Sequence, residues 1–228
     1  VGLLRFDAKL AAMPAEAFVR ELLVERLGVR EVWVGPGFRF GHCRAGDLAS
    51  MQRMGIDEGF AANEIAPVLL DGERVSSTRI RAALAAGDFD LAARLLGRRY
   101  AIGGHVLHGK RLGRTLGFPT ANLRFGGKVP ALRGIYATLV HGVGATPMPS
   151  VSSFGTRPTV DGVEPLLEAH LFDFDGDLYG KRIEVEFVAK LRDEEKFPGL
   201  PSLVAQMHRD GDRARKILQQ HEPQRAIA

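Results

Sequence analysis

The chain of 228 residues is 45% hydrophobic and 25% charged, the balance of a globular protein with material for one or two domains. Its net charge of +4 is spread without a long basic run and only 7% of residues are aromatic, which suits a small anionic ligand such as a nucleotide and argues against a nucleic-acid platform. The lone Cys43 excludes an internal disulfide or a cysteine zinc cluster; with no apolar run of membrane-spanning length and no visible signal peptide, the expectation is a cytoplasmic protein without nucleic-acid or membrane partners.

Residues 13–28 are predicted as a helix. Pro14 suits the first helical position, Gly28 suits the residue past the end, and Phe18, Leu22, Leu23 and Leu27 share one face. Residues 29–34 read as a short strand. The glycine-rich loop 35–44 comes after it, where open α/β sheets carry ligands. Asp47 is expected to cap a helix that runs to Met54 and stops at Gly55. A strand is expected within residues 60–70, before an Asp71-Gly72 turn. Residues 75–81 (Val-Ser-Ser-Thr-Arg-Ile-Arg) then start a helix. Its hydroxyls, arginines and free N–H groups suit a polyphosphate, and plain capping by Ser76 or Ser77 is the alternative. Gly87 closes this helix, Asp88 opens another, and Gly97 closes that one.

Near residue 98 the pattern changes from helical to period two. Strands are predicted at 102–107, 134–141, 150–153, 166–174 and 183–191, with a turn signal at Asp175-Gly176, as in a small antiparallel barrel. The end of the chain is helical over 202–208 and 214–220, interrupted by Asp210-Gly211-Asp212.

Residues 113–122 (Gly-Arg-Thr-Leu-Gly-Phe-Pro-Thr-Ala-Asn) hold two glycines, which argue against a helix or a central strand. Pro119 fixes its own φ and pushes Phe118 towards an extended shape. The stretch therefore reads as a shaped loop presenting Arg114, Thr115, Thr120 and Asn122, either as a site or as a plain turn. No GxxxxGK[ST], GxGxxG or GxSxG occurs. Residues 153–159 form a second polar loop with a fixed proline. Glu168 shares a strand face with His170 and Phe172, opposite Leu167, Ala169 and Leu171. That face is mixed, so Glu168 is either an outward-facing carboxylate or an active-site base.

From residue 98 to about 215 the motifs resemble the riboflavin kinase family. They are Gly104-x-Val106-x-His108-Gly109, the 113–122 stretch, Gly134-Ile135-Tyr136-Ala137, Gly155-Thr156-Arg157-Pro158-Thr159, Glu168-x-His170, Asp177-Leu178-Tyr179-Gly180 and Leu191-Arg192-x-Glu194-x-Lys196-Phe197. The first half resembles the partner module of the bacterial bifunctional riboflavin kinase/FMN adenylyltransferases (FAD synthetases), through the segment from Gly35 to Gly46 and through Val75-Ser76-Ser77-Thr78-x-x-Arg81. Three departures are visible. The family's HxGH motif is not found in this sequence, which opens on Val1 as if entering the module midway. Gly37 stands where the family carries Asp or Asn, and Ser153 where it often has Asn.

The resemblance implies an α/β, Rossmann-like but incomplete nucleotidyltransferase part over residues 1–97. Over residues 98–222 it implies an all-β, six-stranded antiparallel Greek-key barrel with a C-terminal helix. The implied reaction is phosphorylation of riboflavin by Mg-ATP to FMN and ADP, with FAD synthesis as the family's second activity. By matching position, Glu168 is the implied base. Gly109, Arg114, Gly117, Thr120 and Asn122 bind ATP, Thr120 and Asn122 hold Mg²⁺, and Arg192 and Phe197 face the flavin. Ser77, Thr78 and Arg81 match an ATP site of the adenylyltransferase. The alternative is a flavin-binding or regulatory module without turnover.

Overall fold

A computed structural model describes residues 3–109, 112–125, 129–159 and 162–221. The chain divides into two units, Val1–Arg74 and Val75–Ala228.

In the first unit Asp7 caps the short helix α1 (Ala8–Ala11), and Pro14 is itself the N-cap of α2 (Ala15–Ala17), one position before that predicted. The chain then winds as a π-helix over Phe18–Arg26. Its i→i+5 bonding, with Leu22 O accepting from Leu27 N at 3.2 Å, takes more residues per turn than an α-helix. Of the expected face, Leu22 is buried and Phe18 and Leu23 pack against the core that Val19 joins, whereas Leu27, expected inside, is 58% exposed. Strand β1 (Glu31–Val34) pairs in parallel with β2 (Ala61–Glu64) across helix α3 (Leu48–Glu58), a β–α–β crossover. Asp47 and Ser50 form a reciprocal capping box at 2.8 Å. Gly55 does not stop α3, which runs on to Gly59 at φ 82°. Gly55 is small for packing instead, since a Cβ there would lie 2.5 Å from the Phe60 carbonyl oxygen. The hairpin of β3 (Leu69–Leu70) and β4 (Glu73–Arg74) turns at Asp71-Gly72, both at positive φ, as a type I′ turn requires.

The second unit opens with α4 (Ser77–Ala86), capped by Ser76, and α5 (Phe89–Leu96), capped by Asp88. Residues 75–97 lie before the change of pattern near residue 98, yet they pack with the strands beyond it. Ala83, Leu84, Phe89 and Ala92 share one core cluster with the barrel, and the Phe89 ring lies 5.8 Å from both Tyr136 and Phe187. The barrel consists of β5 (Ala101–Leu107), β6 (Ala121–Arg124), β7 (Gly134–His141), β8 (Met148–Thr159), β9 (Gly162–Leu171) and β10 (Arg182–Arg192). A helical turn, α6 (Leu112–Thr115), precedes β6. All pairings are antiparallel and the sheet closes in the order β10-β5-β6-β9-β8-β7. β10 returns beside β7 after the β7-β8-β9 meander, which is a Greek key.

Three local expectations give way here. The 113–122 stretch is not all loop, because its start is helical and its end enters β6, which pairs with a strand on each side. Residues 153–159 are not a loop either, because β8 pairs with β9 as far as Thr159. Pairing with the distant β9 at residues 121–123, and with the same strand as hairpin partner at residues 153–159, outweighs the local glycine and proline signals. The third is helix α7 (Leu200–Gln219), which runs through Asp210-Gly211-Asp212 without a break. Asp210 is buried in an ion pair and Gly211 sits beside Phe172, so tertiary contacts hold a segment of poor helix propensity. α7 packs on the outer faces of β7, β8 and β10, where Ala137, Phe172, Leu191, Ala214 and Leu218 form a second cluster. No helix among the described residues is long and apolar enough to cross a membrane.

Candidate active site

Strand register brings the separated motifs together. One row runs across the barrel through Leu107, Asn122, Glu168, Ser153, Ile135 and Arg192, each paired with the next on the neighbouring strand. Side chains opposite one another across a ladder sit about 5 Å apart at Cβ. Two irregularities in β10, between Phe187 and Ala189 and between Lys190 and Arg192, bring Arg192 into this row. The face that periodicity left open is thereby resolved. Leu167, Ala169 and Leu171 point into the barrel core, and Glu168 and His170 line a cavity on its outer side.

Two cavities meet at the end of the 113–122 stretch. One, of ≈ 370 Å³, is lined by Gly109, Thr120, Asn122, Asp175 and the Asp177-Leu178-Tyr179 segment. The other, of ≈ 400 Å³, is lined by Glu168, His170, Ser153 and Arg192 together with apolar groups such as Phe118, Ile135, Leu203 and Met207. Thr120 and Asn122 line both. The first cavity is the more polar of the two, and the apolar lining of the second suits a flat ring system.

The shared residues are held from several sides. Gly109 packs directly on the Asn122 amide, and a Cβ there would lie 2.5 Å from Nδ2. Asn122 Nδ2 donates weakly to the Thr120 carbonyl at 3.4 Å, which leaves Oδ1 as the acceptor. Gly113 packs against the Phe118 carbonyl oxygen, and its own carbonyl accepts from Phe118 N at 2.8 Å. Gly117 adopts φ 83°, a conformation that favours glycine. Arg114 belongs to α6, and its side chain lies outside the described residues. In the wall of the polar cavity Asp177 accepts from Tyr179 N at 2.9 Å, and the Tyr179 ring lies against His108, tilted by 32° with centroids 3.7 Å apart.

In the apolar cavity the Arg192 guanidinium is gripped by Asp210, with contacts of 2.8–3.1 Å from Nε and Nη2. Gln206 donates to the same carboxylate at 2.8 Å. Arg192 also lies over the Phe197 ring, 5.6 Å from its centroid, so the two residues expected on the flavin side are neighbours. Phe197 is half-buried and is not among the residues lining the cavity. Asp210 was missed in the sequence, where it reads as a helix breaker. The signal was present, since Asp210 stands seven residues after Leu203 on the apolar stripe that continues through Met207 and Ala214.

The phosphate candidates of residues 75–81 lie apart from these cavities. Ser76 spends its hydroxyl on the N-cap, accepting from Arg79 N at 3.2 Å. Ser77, Thr78 and Arg81 are exposed on the first turns of α4 and line neither cavity. In the first unit, Phe38 and Phe40 stack at 5.6 Å, and Arg39 pairs with Asp47 at 3.5 Å. Gly41, at φ 74°, fits closely against Ala15.

A closed six-stranded barrel with a C-terminal helix is the riboflavin kinase fold, and residues 96–218 match the family profile described as riboflavin kinase. Residues 1–79 match the profile described as FAD synthetase. The bifunctional riboflavin kinase/FMN adenylyltransferase of Escherichia coli (strain K12) is 45% identical over 213 residues, 93% of this chain and 68% of that protein. The protein of the same name from Pseudomonas fluorescens is 45% identical over 215 residues, 94% of this chain and 69% of that one. A crystal structure described as a macrolide-efflux protein from Streptococcus pneumoniae has a TM-score of 0.70 at 29% identity, covering 92% of this chain and 67% of that one. The chain belongs to the bifunctional riboflavin kinase/FMN adenylyltransferase family, and its barrel is the riboflavin kinase domain.

Proposed function

We propose that the chain transfers the γ-phosphoryl of Mg-ATP to the ribityl 5′-hydroxyl of riboflavin, with FMN and ADP as products and Glu168 as the general base. One observation carries this reading: Thr120 and Asn122 line both cavities, and Glu168 is the direct cross-strand partner of Asn122. A nucleotide in the polar cavity and a flavin in the apolar one would meet at these residues. Phosphoryl transfer asks the protein mainly for positioning and charge. Glu168 takes the proton of the hydroxyl as its oxygen attacks the γ-phosphorus and ADP leaves.

The donor set fits a hard cation. The Thr120 hydroxyl and Asn122 Oδ1 are neutral oxygens, and no cluster of three or more His, Cys, Asp or Glu with metal-binding placement occurs among the described residues. Such a cation would take its remaining ligands from phosphate and water, the habit of Mg²⁺. When bound, Mg²⁺ supplies neutralisation of the charge that develops on the β- and γ-phosphate oxygens. Gly109 admits the Asn122 amide, Gly117 permits the turn that leads to Thr120, and Arg114 adds positive charge. Arg192, set by Asp210 and with Phe197 beside it, orients the flavin.

In this reading residues 98–222 form the kinase module and residues 1–97 derive from the adenylyltransferase module, whose ATP contacts would include Ser77, Thr78 and Arg81. The chain works in the cytoplasm on small molecules. Incubation with riboflavin, ATP and Mg²⁺, followed by separation of the flavins, tests it. FMN is the expected product, and FAD in the same run would assign the second activity as well. Neither product would leave a flavin-binding module and sink the kinase reading.

A further inference from the structure

His170 joins the two halves of the site. It stands two residues beyond Glu168 on the same strand and lines the apolar cavity. Its Nδ1 lies 2.8 Å from the carbonyl oxygen of Pro119. A carbonyl only accepts, so Nδ1 must carry the proton. The ring also packs against Phe118, with centroids 5.1 Å apart. Phe118 in turn meets His208 of α7 at 4.8 Å. Pro119 has no N–H of its own, so its carbonyl is its one conventional hydrogen-bonding group.

We infer that His170 is a positioning residue that ties the Phe118-Pro119-Thr120 segment to the Glu168 strand, and so sets the place of the Thr120 hydroxyl for Mg-nucleotide binding. Thr120 is the residue after Pro119, and Ala121 begins β6 opposite Ala169. The Nδ1–H bond therefore holds the segment just before the point where pairing takes over. The inference rests on the kinase reading for the identity of the ligand, but its geometry stands on the bond alone.

Two substitutions separate the bond from the ring. His170→Phe keeps an aromatic ring and removes the donor. His170→Asn removes the ring and places an amide N–H where Nδ1 stood. Calorimetric titration with Mg-ADP reads the nucleotide site without turnover. Loss of one hydrogen bond at this point is expected to weaken Mg-ADP about fivefold to tenfold in His170→Phe. His170→Asn is expected to recover most of that loss. Nitrogen-detected NMR of the unsubstituted protein should show the His170 proton on Nδ1. Unchanged Mg-ADP affinity in His170→Phe overturns the inference, as does equal loss in both variants or a neutral ring protonated on Nε2. An unsubstituted protein that binds Mg-ADP but forms no FMN overturns the kinase reading and leaves this inference to the same titrations. One that binds no Mg-ADP overturns both.

Discussion

Gly109→Ala should separate activity from stability. The added Cβ would lie 2.5 Å from Asn122 Nδ2, 2.8 Å from Cγ and 2.9 Å from Oδ1. Ordinary contact between such atoms begins near ~3.5 Å, so the Asn122 amide must retreat by about 1 Å. The atoms that move are the end of a flexible side chain and the main chain is untouched, so the cost in stability is small, on the order of 1 kcal/mol. The cost in function is larger. A displacement of about 1 Å in a positioning group can lower the rate by around 10²-fold. FMN formation at varied Mg-ATP is therefore expected to fall by about two orders of magnitude in kcat/KM, with the thermal midpoint within a few degrees of the original. Near-normal activity would refute the reasoning, because it would mean that Asn122 does not need its present place. A large drop in midpoint would refute it differently, by showing that Gly109 serves the backbone.

Glu168→Gln removes the proton acceptor and keeps the shape. FMN formation should fall by roughly 10²–10⁴-fold while Mg-ADP still binds, and turnover close to the original would end the base assignment. Asp210→Ala leaves the Arg192 guanidinium, 19% exposed, without its buried partner. Urea unfolding should show a loss of about 3–5 kcal/mol, and a loss under about 1 kcal/mol would mean the pair behaves as a surface ion pair. Burial pushes the hydroxyl of Tyr136, whose ring is fully enclosed, from 10.0 up to about 12, against the opposing effect of its bond from Arg133 N. The folded state thus keeps a proton that the unfolded chain loses near pH 10. Its contribution, about 2–3 kcal/mol, is full below that pH and lost as pH rises towards 12. An ultraviolet titration that finds all three tyrosines ionising together near pH 10 would contradict it.

Local features were read well where their cause is local. Asp47, Ser76 and Asp88 cap the helices that they precede, and Gly28, Gly87 and Gly97 take the left-handed conformation past helix ends. Asp71-Gly72 makes its hairpin turn. Each depends on a side chain or a φ angle within a few residues. The misreadings share a different cause. Gly55 is small because Phe60 approaches it, Asp210 is helical because Arg192 reaches it, and residues 153–159 are extended because β9 lies alongside. At the end of the π-helix over Phe18–Arg26, Leu27 lies exposed, although 3.6-residue spacing had put it inside with Phe18, Leu22 and Leu23.

The family and the identity of the chemical groups belong to the sequence, since motif order and residue type need no coordinates. Glu168, Thr120 and Asn122 could all be named from it. Whether they form one site depended on register. A slip of one residue in β9 would turn Glu168 into the barrel core and Leu167 out of it, because strand side chains alternate with period two. Only the closed barrel fixes that register. It sets Asn122, Glu168, Ser153 and Arg192 in one row although up to 70 residues separate them, and places Thr120 and Asn122 on the walls of both cavities.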